Sequence, residues 1–475
     1  MMYPADVNHC AGEVMRKPVA KAMVITACPQ AASAHASEQG FVLLLPTDMY
    51  IAAGVATVAL TVVLLAFMPE TAAGRLFRPL RLLRVPRPRL RHVASCLSWL
   101  VLAALVWLGL AGPRDPLANL LPLTIWTVWW VVLVALQGVL GNHWRWTNPW
   151  TGPAALLARV NRTRARLRYP RWLGHGPALL SFLAFAALLL ADPAPTDPGR
   201  LALFVAGYWT FAFVGLLAFG PRWMVRGEGL TVLMRAYGRM ALLGRSRGRL
   251  AVGAPGWQVL AGPRAGLGLA LFILVLLGTG SFDGLNETFW WIGVLGLNPL
   301  EFPGRSAVVT QNLTGLVVAN SALIAVFAGC LWLGDRLAGT GEGLLTSFRR
   351  FAPSVLPIAL GYHVAHYITV FLVNGQYVVK ALNDPLARGS DLLGLGHVHV
   401  TTGFFNTPDT VRLIWLTQAG AVVAGHVVAI LLAHALALRA HGSHRRALVG
   451  QAPVAAFMVA YTFFGLWLLA SPRGL

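Results

Sequence analysis

Hydrophobic residues run through this chain in long blocks that few charged residues interrupt. An apolar block of about 18 or more residues is long enough to cross a lipid bilayer as a helix. We therefore predict an all-α protein, a polytopic bundle of about ten transmembrane helices that forms one domain over residues 37–475. The predicted spans are residues 41–67, 93–112, 122–140, 177–191, 201–219, 266–281, 306–333, 351–374, 413–438 and 452–470.

One apolar segment departs from this pattern. Residues 285–303, LNETFWWIGVLGLNPLEFP, contain Pro299 and Pro303, and proline interrupts a helix because it lacks a backbone N–H. We expect an interfacial or re-entrant piece here instead of a span.

The composition agrees with a membrane protein. Hydrophobic residues make up 57% of the 475 residues and charged residues 12%. A soluble protein carries about 25% charged residues, so a large soluble enzyme is excluded. The lipid bilayer is accordingly the first partner that the sequence predicts.

Basic residues indicate how the spans are oriented. The five loops that follow spans one, three, five, seven and nine hold 28 of the 38 Lys and Arg residues. Short basic loops stay in the cytoplasm, so both termini of the mature chain are predicted to face outward. The net charge of +21 follows from this rule. A nucleic-acid partner is not expected, because the arginines are spread over five loops instead of one surface.

The N-terminal segment, residues 1–36, is predicted to be a processed segment that contains a cleavable signal sequence. Ala32, Ser33 and Ala34 fit the small-residue cleavage pattern, which would leave His35 as the first residue. A terminal histidine with a free amine chelates copper, and an ordinary cleavage remnant is the alternative. The four cysteines form no C-x-x-C pair, so neither a zinc knuckle nor a disulfide framework is indicated.

Histidines give the clearest chemical indication. His363 and His366 lie three apart inside the eighth span, on one helix face. Imidazole and carboxylate groups together suit a divalent transition metal such as zinc, iron or copper. The predicted metal ligands are these two with residues of the following outer loop, namely His363, His366, His397, His399, Asp384 and Asp391. The alternatives are a proton or ion pathway, or polar side chains that only pack helices together.

Further polar residues accompany this set. Tyr362, Tyr367 and Gln376 of the same segment, with His426 of the ninth span, are the predicted substrate-binding residues. His363 and His426 lie on separate helices and could also hold a haem, which is a weaker alternative.

A pair of carboxylates follows the sixth span. Asp283 and Glu287 are four residues apart, at the predicted outer end of that helix. One of them is predicted to act as a general base on a water molecule that a metal activates. A solvated helix end is the plain alternative.

The stretch GNHWRWTNPWTG, residues 141–152, lies at the predicted cytoplasmic end of the third span. Trp144, Trp146 and Trp150 with Arg145 are typical of an aromatic belt at the level of the lipid headgroups. A cytoplasmic ligand site is the second interpretation.

Three stretches together resemble the bacterial membrane family of fenitrothion hydrolases: GYHVAHYITVFLVNGQ, SFDGLNETFW and TQAGAVVAGHVVAILLAHALAL. The stretches GNHWRWTNPW and AHASEQGFVLLLP are similar to that family too. The resemblance implies hydrolysis of organophosphorus triesters, with a lipophilic small-molecule substrate, in the inner (plasma) membrane of a bacterium. Residues 383–394, NDPLARGSDLLG, are less aromatic than the resemblance implies.

Two other functions use the same residues. A transporter of a metal ion such as copper, or of a small solute, would use the histidines as transit ligands. A membrane assembly or scaffold subunit would use them only for packing. The sequence itself leaves these alternatives open.

Overall fold

The computed structural model describes residues 42, 44–84, 90–161 and 167–473. The predicted signal sequence, its cleavage site and His35 lie outside the described residues, so these remain predictions.

Ten helices form the bundle, and they follow the ten predicted spans in order. Nine of the helices in the described ranges are long and apolar enough to cross a membrane, and Gly176–Ala191, with 16 residues, is shorter. The all-α prediction is confirmed, and the chain is a multi-pass membrane protein. The ten helices are α1 (Thr47–Leu65), α2 (Arg91–Ala111), α3 (Leu120–Val139), α4 (Gly176–Ala191), α5 (Pro198–Phe219), α6 (Leu267–Leu285), α7 (Val309–Ala338), α8 (Leu356–Asn383), α9 (Pro408–His441) and α10 (His444–Ala470).

Shorter helices occupy the connections. They are Glu70–Leu76, Trp144–Thr147, Thr151–Asn161, Pro221–Arg226, Gly229–Tyr237, Trp257–Ala261, Phe289–Val294 and Leu344–Phe351. Single 3₁₀ turns cover Arg171–Leu173, Pro299–Glu301, Arg305–Val308, Ala352–Val355 and Gly403–Phe405. The segment 285–303 folds into one six-residue helix and one 3₁₀ turn, neither of which is long enough to span a bilayer.

A small antiparallel sheet, which the sequence pattern did not predict, lies on the side that carries most of the arginines. Its strands β1 (Leu80–Arg81), β2 (Leu243–Ser246) and β3 (Arg249–Val252) are ordered β1-β3-β2. Arg247 and Gly248 join β2 to β3 with φ angles of 48° and 80°, as a type I′ turn requires. Strands of two to four residues are too short to show an alternating pattern.

The tryptophans of residues 141–152 differ from the predicted aromatic belt. Trp144 and Trp150 are buried inside the protein, 5% and 3% exposed. The Trp144 indole donates to the Thr231 hydroxyl, and the Trp150 indole donates to the Trp209 carbonyl. Both rings therefore pack between helices instead of facing headgroups.

Helices α6, α8 and α9 form the centre of the bundle. In the apolar 18-residue stretch of each helix, 72% is buried inside the protein in α6, compared with 17% in the peripheral helix α2. Glycines allow α8 and α9 to approach closely. A Cβ atom at Gly361 would lie 2.5 Å from the Ala421 carbonyl oxygen, and one at Gly425 would lie 2.6 Å from that of Pro357. Such small residues are the usual means of close helix contact in membranes.

Gly361→Ala is expected to lower the stability of the detergent-solubilised protein by about 1–3 kcal/mol, because the added methyl group forces the α8 and α9 backbones apart. The measurement is the midpoint of thermal unfolding. Gly420→Ala is the control, since a Cβ at Gly420 on α9 meets nothing within 4 Å. There the better helix propensity of alanine acts alone and raises stability. Equal midpoints for the two variants would contradict the close contact.

Helix α3 contains an unusual stretch. Residues Leu123–Leu133 have π-helical hydrogen bonding over 11 residues. Such widened turns are rare in proteins and are frequently found at functional sites. This stretch packs against α8, where it meets His363 of the predicted histidine pair.

Candidate functional site

The end of α6 and the middle of α8 bring three polar side chains together inside the bundle. The Tyr367 hydroxyl donates to Oδ2 of Asp283, and Nε2 of His366 lies 3.2 Å from the same oxygen. All three residues are buried. Oδ1 of Asp283 forms no hydrogen bond with the described residues, so one carboxylate oxygen is held by two donors and the other is left available.

The outer face of this cluster forms the floor of a cavity of about 430 Å³, which we call the outer chamber. Asp283, His366 and Tyr367 line it together with the charged residues Glu287, Arg305 and Arg473. Its volume lies within the range of about 300–1,000 Å³ that is usual for small-ligand sites. Its remaining polar lining includes Asn286, Asn312, Gln418 and Ser471, and its aromatic lining is Trp291, Phe302 and Trp415.

Arg305 is fixed at one wall of the outer chamber. Its Nη2 atom donates to Glu287 Oε1 at 3.1 Å, and Nη1 donates to the Leu189 carbonyl oxygen at 3.1 Å. The 3₁₀ turn Arg305–Val308 positions this guanidinium just before α7 begins. The chamber therefore holds one compensated ion pair, and the second arginine, Arg473, adds a further positive charge.

A second cavity lies behind the cluster. This inner cavity has a volume of about 20 Å³, and its lining includes Asp283, Tyr362, His363 and His366. Two of its polar atoms, Nδ1 of His366 and the Tyr362 hydroxyl, are buried without a hydrogen-bond partner among the described residues. A volume above about 10–15 Å³ can hold one water molecule. Asp283 and His366 line both cavities, so they separate the chamber from this inner space.

The two histidines of α8 point toward different neighbours. Nε2 of His363 lies 2.9 Å from the Trp130 carbonyl oxygen on α3, whereas His366 faces Asp283 on α6. The Tyr362 ring stacks on His366 with an interplanar angle of 12°. Residues three apart share one helix face. Because α8 packs between α3 and α6, the His363 ring contacts α3 and the His366 ring contacts α6.

The outer loop is built separately from this site. Asp384 accepts hydrogen bonds from the Ser390 hydroxyl at 2.6 Å and from the backbone N–H groups of Arg388 and Gly389. These bonds, the Ser390 one above all, lower the pKa of Asp384 to about 2. A hydrogen bond from the Asn383 side chain likewise lowers the pKa of Asp391. Both carboxylates therefore act as acceptors that fix the loop conformation.

The remaining predicted residues also lie away from the outer chamber. His397 and His399 are exposed on the loop. Gln376 pairs with the backbone of Thr401 through two hydrogen bonds of 2.9 Å, which ties the loop to α8. Nδ1 of His426 lies 2.8 Å from the carbonyl oxygen of Val422 in its own helix.

The structure thus brings together one part of the predicted site. Asp283, Glu287, His366 and Tyr367 meet at the outer chamber, with Tyr362 and His363 directly behind them. It does not bring Gln376, Asp384, Asp391, His397, His399 or His426 to that cluster. Gln376 lies near the end of α8 against the loop, the loop carries the next four residues, and His426 lies on α9.

The donor groups do not match a catalytic transition-metal site. Such a site uses three protein ligands, and in the described part of the chain no group of three or more His, Cys, Asp and Glu side chains could hold a metal ion. Asp283 and His366 supply two donors, and the Trp130 contact occupies Nε2 of His363. The predicted metal therefore stays a prediction.

Sequence reasoning missed several residues of the chamber. Arg305 and Arg473 belong to connections with few basic residues, and this isolation is the sequence signal that could have indicated them. Gln418 and Asn312 lie within apolar helices, where a polar side chain needs a partner. The Gln418 side chain donates a hydrogen bond to the Ala365 carbonyl oxygen, and Asn312 accepts one from the Trp291 indole.

Fold and site together define a multi-pass helical membrane protein with a polar chamber and a buried Asp–His–Tyr cluster. No family model, no curated protein and no solved structure matches this chain. The resemblance to fenitrothion hydrolases therefore stays a prediction.

Proposed function

We propose that this protein is a membrane hydrolase of small lipophilic esters, with neutral phosphotriesters as the substrate class that the resemblance implies. The observation that carries the proposal is the Asp283 carboxylate at the floor of the outer chamber, with Oδ2 held by His366 and Tyr367 and Oδ1 left without a partner among the described residues. We further propose that the membrane is the bacterial plasma membrane and that the chamber faces outward, on the side with few arginines.

The proposed reaction uses Asp283 as general base. Oδ1 accepts a proton from a chamber water while the water oxygen forms a bond to phosphorus. The bond from phosphorus to the aryl oxygen breaks, and the aryl oxide leaves with the bonding electron pair. The proton on Asp283 passes to solvent or to the leaving oxygen. His366 and Tyr367 are positioning residues, because they hold Oδ2 and so aim Oδ1.

Arg305 and Arg473 provide positive charge where the phosphoryl oxygen gains negative charge. Fixed charges inside an enclosed site act strongly because they need no reorganisation during the reaction. A lipophilic substrate would reach the chamber from the outer leaflet, and the rings of Trp291 and Trp415 would contact its aryl group.

The test is hydrolysis of a neutral nitrophenyl phosphotriester by the purified protein in lipid nanodiscs. The release of nitrophenol is the readout. We expect turnover that saturates with substrate, and a matched carboxylic ester shows whether phosphorus is preferred. Protein dialysed against a chelator and protein supplied with zinc are assayed in parallel. A rate equal to that of empty nanodiscs in every condition would overturn the proposal.

Arg305→Gln is expected to lower kcat/KM by about 10–100-fold, because one positive charge beside the developing oxyanion is lost. Glu287→Gln should leave kcat/KM within a few-fold of the wild type, since it removes only the partner of Arg305. Arg412→Gln, at an exposed position early in α9, is the control for a general effect of charge. Equal losses in Glu287→Gln and Arg305→Gln would show that the ion pair, and not the cation, matters.

The inner cavity favours a second function, a transporter that couples a small solute to protons. Asp283 and His366 lie between the two cavities, and Tyr237 and His363 line the inner one, so a proton could pass inward through these groups. Proteoliposomes with a pH gradient distinguish the two functions. Proton uptake that depends on a solute, without ester hydrolysis, supports the transporter.

A further inference from the structure

Two further large cavities lie away from the outer chamber. One lies among α2, α3, α4 and α5, and the other lies between the start of α2, the end of α5 and the connections that follow α3 and α5. The first has a volume of about 960 Å³, and its aromatic lining includes Trp126, Trp129, Trp144, Trp150 and Trp209. We call it the tryptophan cavity. Its rim carries leucines and valines of the lipid-facing surface, such as Leu97 and Leu203, which are 57% and 68% exposed. The tryptophan cavity therefore opens sideways into the hydrocarbon region of the bilayer.

The second cavity, of about 930 Å³, lies next to the first at the side of the protein that carries most of the arginines. Its lining includes Arg91, His92, Arg145 and Arg235, and none of the described residues that line it is Asp or Glu. We call it the basic cavity. Trp144 belongs to the lining of both cavities, so the two cavities meet at this residue.

The cations of the basic cavity are not neutralised within the described part of the chain. None of Arg91, Arg145 and Arg235 takes part in the salt bridges found there. Burial, together with the positive charges of Arg245 and Arg91, lowers the pKa of Arg145. A site that gathers like charges in this way is complementary to an anion.

We propose that the two cavities form one binding site for an anionic glycerophospholipid, with its phosphate in the basic cavity and its acyl chain in the tryptophan cavity. The arginine-rich side of the bundle is the predicted cytoplasmic side, where anionic lipids are available at headgroup level. Lateral access between α2 and α5 admits the lipid without any opening of the bundle. This site is independent of the outer chamber and of the hydrolase proposal.

The test is native mass spectrometry of the purified, delipidated full chain titrated with phosphatidylglycerol, phosphatidylcholine or a polyisoprenyl phosphate. We expect phosphatidylglycerol to be retained about tenfold or more over phosphatidylcholine. The double variant Arg91→Gln/Arg145→Gln should lose about 10–30-fold in affinity, because each basic residue contributes about 1 kcal/mol to contact with anionic lipid. Arg264→Gln, an exposed arginine outside both cavities, is the control.

A second variant tests the binding of the lipid acyl chain independently of charge. Gly207 lines the tryptophan cavity, and a Cβ there meets nothing within 4 Å, so the side chain of Gly207→Leu begins in open space at the cavity. This variant should lose phosphatidylglycerol retention, whereas Gly329→Leu, which also projects into open space, should keep it. Three results would each overturn the proposal: equal retention of the two glycerolipids, full retention by both site variants, or preference for the polyisoprenyl phosphate.

Discussion

Asp283→Asn is expected to lower kcat for ester hydrolysis by about 10²–10⁴-fold, the usual contribution of a general base. The asparagine carbonyl oxygen can replace Oδ2 and accept the hydrogen bonds from Tyr367 and His366, so the cluster keeps its geometry. The amide nitrogen then replaces Oδ1, and it cannot accept a proton from water. The substitution therefore removes the base and little else. The measurement is kcat and KM in nanodiscs with the nitrophenyl phosphotriester.

Asp192→Asn is the matched control for this variant. Asp192 is 9% exposed, also lies on the outer side, and pairs with Arg200 outside the chamber. It should retain kcat within a few-fold of the wild type. A folded Asp283→Asn protein with an unchanged kcat would remove Asp283 from the mechanism and with it the hydrolase proposal. Thermal unfolding of both variants establishes that they are folded.

His366→Ala is expected to lower kcat by about 10²-fold with little change in KM, because it removes one of the two donors that hold Oδ2 of Asp283. His366→Gln should recover part of the loss, since its side-chain amide can donate to the same oxygen. Added imidazole should also recover activity in His366→Ala, because the deleted ring leaves a space beside the chamber that the free base can fill. The measurement is kcat as a function of imidazole concentration.

His426→Ala is the control for this effect, as His426 is also buried but lies outside both cavities of the site. It should keep its kcat and show no response to imidazole. If His366→Ala and His426→Ala lose activity equally, and imidazole restores neither, then His366 only packs the helices. That outcome leaves Asp283 as a base but removes the positioning role.

Much of the fold follows directly from hydropathy. A helix in a bilayer satisfies its own backbone hydrogen bonds, so a long apolar block dictates a helix wherever it occurs. The pairing of helices is different, because it depends on shape at particular positions. Gly361 and Gly425 show this, since neither is distinguishable in the sequence from Gly420, which faces open space.

The candidate site could be predicted in part for the same reason. Asp283 and His366 lie in apolar helices, where a polar side chain needs a partner, and the two side chains contact each other. The positions of the loop residues could not be predicted, because Asp384 and Asp391 accept hydrogen bonds from the backbone of their own loop and His397 remains exposed. Local hydrogen bonds of this kind depend on the path of the loop, which no spacing rule gives.

The π-helical stretch Leu123–Leu133 has a mechanical consequence. Trp129 on this stretch lines the tryptophan cavity, and the next residue, Trp130, lines the inner cavity and holds His363 through its carbonyl group. Rewinding of this backbone to the tighter α geometry would turn both indoles at once. The geometry of this one stretch therefore sets both a wall of the tryptophan cavity and the position of the carbonyl group that His363 contacts.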